Sequence, residues 1–167
     1  MLGAIEGGTI SVLVKKAWTD VPGIPPGLLD FAVAVVSAAP NFANLTSFLW
    51  ARAGAGRDKI RFIAAIQVVT CLCVGGVALM PVNAWGLLGT CLLVLVARVS
   101  WTGVITARTA VWRQNYPKES RASIAGKMAT MQSVVLAFSG WVVGASMDIG
   151  PGAFHVVFPV LAIMGLW

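Results

Sequence analysis

The sequence predicts an all-α protein: a polytopic transmembrane helix bundle of about five to six segments, folded as a single unit. Three observations predict it. Of 167 residues, 58% are hydrophobic and only 11% charged, against about 25% charged residues in an ordinary soluble domain. The mean hydropathy of +0.86 is too apolar for a disordered chain and leaves too little polar surface for a water-soluble globule. Finally, four apolar runs reach the length of about 20 residues that a helix needs to cross a bilayer.

The first run, 1–14, closes on Lys15 and Lys16. Fourteen residues rise only about 21 Å as a helix, so 1–18 reads as an incomplete crossing. It is not a signal peptide, because its cations follow the apolar stretch and Glu6 interrupts it. The stretch 19–27, rich in Pro and Gly, excludes helix. Segment 28–50 spans: Pro25 and Pro26 suit a helix start, Asp30 complements the positive end of the dipole, and Pro40 predicts a kink. The next segments are 62–80, stopped by Pro81; 84–106, interrupted by Arg98; and 124–147. The last, 153–167, is again short. With both terminal segments short, the chain reads as a window from a longer protein.

The formal net charge of +6 raises nucleic acid as a partner, but the placement of the cations argues for membrane topology. The connection between the second and third segments holds Arg52, Arg57, Lys59 and Arg61. That between the fourth and fifth holds Arg108, Arg113, Lys118 and Arg121, with Lys127 just beyond. The turns at 81–84 and 148–152 hold no Lys or Arg. This alternation predicts an integral protein of a bacterial-type inner (plasma) membrane with its Arg/Lys-rich loops cytoplasmic. Lys15 and Lys16 fall on the opposite side. Trp18, Trp50, Trp85 and Trp112 lie near segment ends, where an aromatic belt is expected. The expected partner is the lipid bilayer and not nucleic acid.

Polar residues inside the segments are the candidate functional groups. Asp30, Ser37, Asn41 and Asn44 fall within about 60° of arc on one helix. Such a stripe must face protein or a water-filled cavity, as the wall of a substrate path or as interhelical glue. Arg98 lies deep in the fourth segment, where a guanidinium costs at least about 2.5–3.5 kcal/mol on insertion scales. It should face the interior, with Glu6 as its expected acceptor. His155 is expected to be a hydrogen-bonded packing residue. Gly126, Thr130, Ser133, Ala137, Gly140 and Gly144 give the fifth segment a small-residue face, expected to let a neighbouring backbone approach closely.

Cys71, Cys73 and Cys91 lie in apolar runs and read as fillers. No cluster has metal-ligand spacing, no phosphate-cradling loop is present, and neither a G-x-S-x-G nor an H-E-x-x-H pattern occurs. Neither cofactor, metal, catalytic residue nor enzymatic activity is expected.

The stretch 50–61 (WARAGAGRDKIR) resembles the loop between the second and third helices of the major facilitator superfamily, which reads roughly G-x-x-x-D-R-x-G-R-[RK]-[RK]. Gly56, Arg57 and Lys59 match its second half, while Leu49 and Ala53 replace the first Gly and the Asp. The stretch 113–121 (RQNYPKESR), followed by Gly126, is similar to the loop between the fourth and fifth helices of bacterial members. Arg98 and Gly103 loosely resemble the R-x-x-Q-G pattern of the fourth helix. The resemblance implies a twelve-helix secondary transporter with two six-helix halves around a midplane site, of which this chain supplies the N-terminal half. Alternating access would move a small solute past Glu6, Asn41 and Arg98, with Gly56, Arg57 and Lys59 shaping a cytoplasmic gate. The other wall would come from a missing C-terminal half or a second copy. Two other readings stay open: a self-contained small proton-coupled exporter acting as a dimer, and a non-transporting integral membrane subunit.

Overall fold

A computed structural model describes residues 7–150 and 152–165, and every regular element among them is helical. The helices are α1 (Gly7–Trp18), α2 (Pro26–Leu45), α3 (Ser47–Ala53), α4 (Lys59–Val77), α5 (Ala84–Asn115), α6 (Lys118–Ile149) and α7 (Phe154–Met164). Four of them, α2, α4, α5 and α6, are long and apolar enough to cross a membrane. This is the architecture of an integral membrane protein.

Local chemistry sets the helix ends. Pro25 is extended and Pro26 occupies the first turn of α2, where a missing N–H costs nothing. The Asp58 carboxylate accepts from the Ile60 and Arg61 N–H groups at the start of α4, and Asn83 Oδ1 accepts from Gly86 N at 2.8 Å at the start of α5. These side chains supply acceptors for donors that a helix leaves unpaired. The segment expected at 28–50 is divided. Thr46 donates both its N–H and its hydroxyl to the Ala43 carbonyl, which tightens the end of α2 and separates α3.

The bundle is a closed ring. The central helix is α5, packed on α2, α3 and α4; α1 sits between α2 and α6, and α7 between α4 and α6. One apolar core joins α1, α2, α4, α5, α6 and α7 through Leu13, Trp18, Val36, Val77, Leu87, Val143 and Phe158, and a smaller cluster of Ile66, Trp101 and Val104 receives Trp50 of α3. Hydrocarbon outside the bundle is as apolar as the core, so close packing holds such helices together. The buried residues of α2, Ala32, Val36, Ala39 and Ala43, form one small face at helical spacing. That face permits its approach to α5, where Cys91 Sγ lies 4.0 Å from the Ala32 carbonyl oxygen.

Several expectations need correction. The connection expected between 106 and 124 is almost wholly helical, with only Tyr116 and Pro117 outside α5 and α6. Thr106 and Thr109 satisfy their hydroxyls on carbonyls four residues back, and Asn115 does the same with its amide. Polar side chains bonded in this way leave the helix intact, and Pro117 ends it. Trp18 and Trp50 turn inward instead of joining an aromatic belt. Trp18 is fully buried, donates to the Asn83 carbonyl at 3.0 Å and stacks near Phe154. Trp50 lies over Gly103 and meets Phe62 edge-on. Trp85 remains exposed.

The two ends of the bundle differ in charge. At one end meet the C-terminus of α1, the turn before α5 and the turn before α7. There Lys16 pairs with Asp148, and His155 Nδ1 donates to the Ala78 carbonyl. The ion pair neutralises a cation that the loop pattern had placed on the wrong side. At the opposite end, Ala51 of α3 and Arg113 of α5 line one groove, so both basic connectors lie together. The turn before α5 demands its glycine: a Cβ on Gly86 would sit 1.7 Å from the Pro81 carbonyl oxygen. Gly86→Ala is therefore expected to cost about 1–3 kcal/mol or more through overpacking. Thermal unfolding in detergent, followed by tryptophan fluorescence, should show a clearly lower midpoint; an unchanged midpoint would refute the tight turn.

Candidate functional site

A cavity of about 140 Å³ opens where α2, α5 and α6 meet, lined by Pro40, Asn44, Arg98, Trp101, Thr102 and Gln132 among others. Three helices each bring an amide or a cation to it. Arg98 is only 5% exposed and lies fourteen residues into α5, about 21 Å from the helix start. Thr102 donates to the Arg98 carbonyl at 3.2 Å, so its own hydroxyl is satisfied on the backbone. The space admits several waters or a small polar solute. Because the surrounding medium is of low polarity, a charge here acts more strongly than at a surface.

Asn44 and Arg98 are the two candidate residues that the structure brings together. Asn41 is exposed on the same side of α2 but does not line the cavity. Ser37 instead joins neighbouring helices, its hydroxyl sharing a 2.7 Å hydrogen bond with Ser11 of α1. Asp30 is exposed near the start of α2, fourteen residues and about 21 Å from Asn44 along the helix. The stripe therefore divides into a cavity residue, a helix–helix bond and two exposed groups. Glu6, expected as the acceptor for Arg98, lies outside the described residues.

Gln132 is the residue that sequence reasoning missed. It lies in α6 among exposed apolar residues, and it also lines a second cleft of about 350 Å³ with Arg108, Met128 and Met131. A signal existed in the sequence: an amide in an apolar membrane segment needs a polar partner or water.

The basic connector between α3 and α4 is a structured corner. Gly56 has φ +70° with open space around it, a conformation that side chains rarely adopt. Lys59 Nζ donates to the Gly54 carbonyl, and the Arg57 guanidinium lies 6.0 Å from the Phe62 ring centre. Gly56, Arg57 and Lys59 thus shape the corner, while Asp58 caps the next helix. Asp58, three residues before Arg61 and ahead of an apolar run, carries a helix-start signal that the loop motif does not include.

The small-residue face of α6 is only partly engaged. A Cβ on Gly140 would meet Thr9 Oγ1 of α1 at 3.1 Å, but Cβ atoms on Gly126 and Gly144 would meet none of the described residues within 4 Å. The buried line of α6 is instead Ser139, Val143 and Met147. Among the described residues no group of three His, Cys, Asp or Glu side chains is placed to hold a metal ion.

No family model, curated protein or solved structure matches the chain.

The Ser11–Ser37 bond can be measured. A double-mutant cycle with S11A and S37A should give a coupling of about 0.6 kcal/mol, the average for interhelical bonds in membranes. Zero coupling in detergent unfolding would show that the bond does not form.

Proposed function

We propose that the chain is a wall-forming half of a secondary transporter of the major facilitator type, moving a small solute by alternating access. The observation that carries this reading is the buried Arg98 at mid-depth, beside Asn44 and Gln132, in a cavity between three helices. Intramembrane cations are expensive and mark solute or ion paths by default. The resemblance of 50–61 and 113–121 to the superfamily's loops supports the same reading. So does the collection of the basic connectors at one end, which is the cytoplasmic face of a bacterial-type inner membrane under the positive-inside rule. The solute, in this reading, passes Asn44, Gln132 and Arg98; Asn41 and Asp30 border the path, with Glu6 as a further candidate. Gly56, Arg57 and Lys59 hold the cytoplasmic corner. A second six-helix unit, from a C-terminal half or another copy, supplies the opposite wall.

Alternating access has a direct test. In a variant with Cys71, Cys73 and Cys91 replaced by Ser or Ala, Asn44→Cys in native membranes should react with a membrane-impermeant maleimide from both faces. Arg98→Gln should abolish the two-sided pattern or bias it to one face. Labelling from one face only before the arginine is changed, or from neither, would defeat the reading.

One observation favours a second reading, a non-transporting membrane subunit: among the described residues, α6 is scarcely buried and none lies within 4 Å of a Cβ on Gly126 or Gly144. Gly144→Leu discriminates, because a Cβ at this position meets none of the described residues. A docking subunit loses its partner in affinity purification on this change and keeps it with Arg98→Gln. A transporter half responds to Arg98→Gln in the maleimide assay.

A further inference from the structure

At the basic end, α5 carries a groove on each flank. One, of about 560 Å³, runs between α3 and α5, with Ala51, Ile105 and Ala110 on its walls and Arg113 and Gln114 at its outer end. The other, of about 290 Å³, runs between α5 and α6 and is lined by Trp112, Tyr116, Arg121 and Ile124. Thr109 and Arg113 belong to both. From Ile105 to Arg113 the helix rises about 12 Å, so the apolar walls lie deep and the cation lies at the rim.

The rim is held in place by the chain itself. Arg121 Nε donates to the Tyr116 carbonyl at 2.8 Å, and its Nη2 donates to the Arg113 carbonyl at 2.6 Å. This clamp fixes the corner between α5 and α6. Among the described residues, no hydrogen bond or ion pair engages the Arg113 guanidinium. Nine of the twelve cations lie toward this end, accompanied by the acids Asp58 and Glu119. Cations therefore outnumber acids at this end, and with the apolar helices set in a bilayer the rim would lie at the depth of the lipid headgroups.

We propose that the two grooves form a binding site for one anionic phospholipid. Its phosphate sits on Arg113, and its two acyl chains run down either side of α5 along Ile105 and Ile124. A free phosphate ion would satisfy the cation but would leave both apolar grooves without an occupant. A zwitterionic lipid would fill the grooves but would carry a positive group into a positive field. Only an amphiphile with net negative charge meets both conditions. The site stands apart from the solute path and does not depend on the chain being a transporter.

Native mass spectrometry of the full chain in detergent tests it, with phosphatidylglycerol and phosphatidylcholine of the same acyl chains as probes. Phosphatidylglycerol should be retained about fivefold more tightly, the preference expected of one basic residue at an anionic headgroup. Arg113→Gln should reduce retention to the phosphatidylcholine level. Ala110→Phe, which fills the larger groove and leaves every charge in place, should do the same. Arg61→Gln, a cation at the same end outside both grooves, should leave the preference unchanged. Circular dichroism checks that each variant is folded, and Ala110→Phe against Arg61→Gln suffices if Arg113→Gln is not. Equal losses from Arg61→Gln and Arg113→Gln would overturn the site in favour of diffuse attraction. Retention unaffected by Ala110→Phe would overturn it too, as would displacement of the lipid by millimolar inorganic phosphate.

Discussion

Placing a guanidinium at mid-depth in an apolar bundle is the constraint around which the rest of this structure is organised. Arg98 is nearly fully buried on the most enclosed helix. Hydrocarbon supplies no hydrogen-bond partners, so protein groups or trapped water must surround such a side chain. The packing around α5 meets that need. α5 takes the centre, α2 closes on it through a face of small residues, and α6 brings an amide, Gln132, to the same space. If α5 lay at the edge of the bundle, the same arginine would face lipid.

Charge placement works on a larger scale in the same way. Among the described residues Arg98 is the one buried cation, and most of the others lie on helix ends and short corners. They are kept there by local bonds that need no partner domain: Lys59 on the Gly54 carbonyl, Arg121 on the last carbonyls of α5, and Arg108 over the Trp112 ring at 5.0 Å. A cation near a helix C-terminus also complements its dipole, which suits Arg113 in the last turn of α5. The opposite end keeps Lys16 in an ion pair with Asp148. The asymmetry of the bundle is therefore a property of its folded ends as well as of its loop sequences.

Composition and run length were enough to predict a helical chain with four helices able to cross a membrane, because both features depend on sums over many residues. Arg98 was legible for a related reason: one charge in a long apolar run has few places to go. What escaped was pairwise. Nothing in the sequence says that Asn44 faces Arg98 while Ser37 turns to Ser11, since both lie on one narrow arc of α2. The extension of α5 to Asn115 was hidden because threonine and asparagine read as loop formers until their side chains are seen bonded to the preceding turn. Trp18 and Trp50 lie near segment ends, but whether an indole faces lipid or the core depends on neighbours remote in sequence, here Asn83 and Gly103.

The helix α6 is subject to all of these constraints at once. It is long and apolar enough to cross a membrane, yet the described residues give its first half almost no cover and bury only Ser139, Val143 and Met147. Lipid alone accounts well for the large side chains Met131, Val135 and Phe138, which are at home in hydrocarbon. It accounts poorly for Gly126, Thr130, Ser133 and Gly144 on another face, because small residues offer lipid tails little contact and offer a second backbone a great deal. The face that carries them lies beside α1 at Gly140, where the approach of Thr9 already shows what such a surface admits. Among the described residues, α6 thus joins one lipid-suited face, one face of small residues that admits a close neighbour, and Gln132 at the Arg98 cavity.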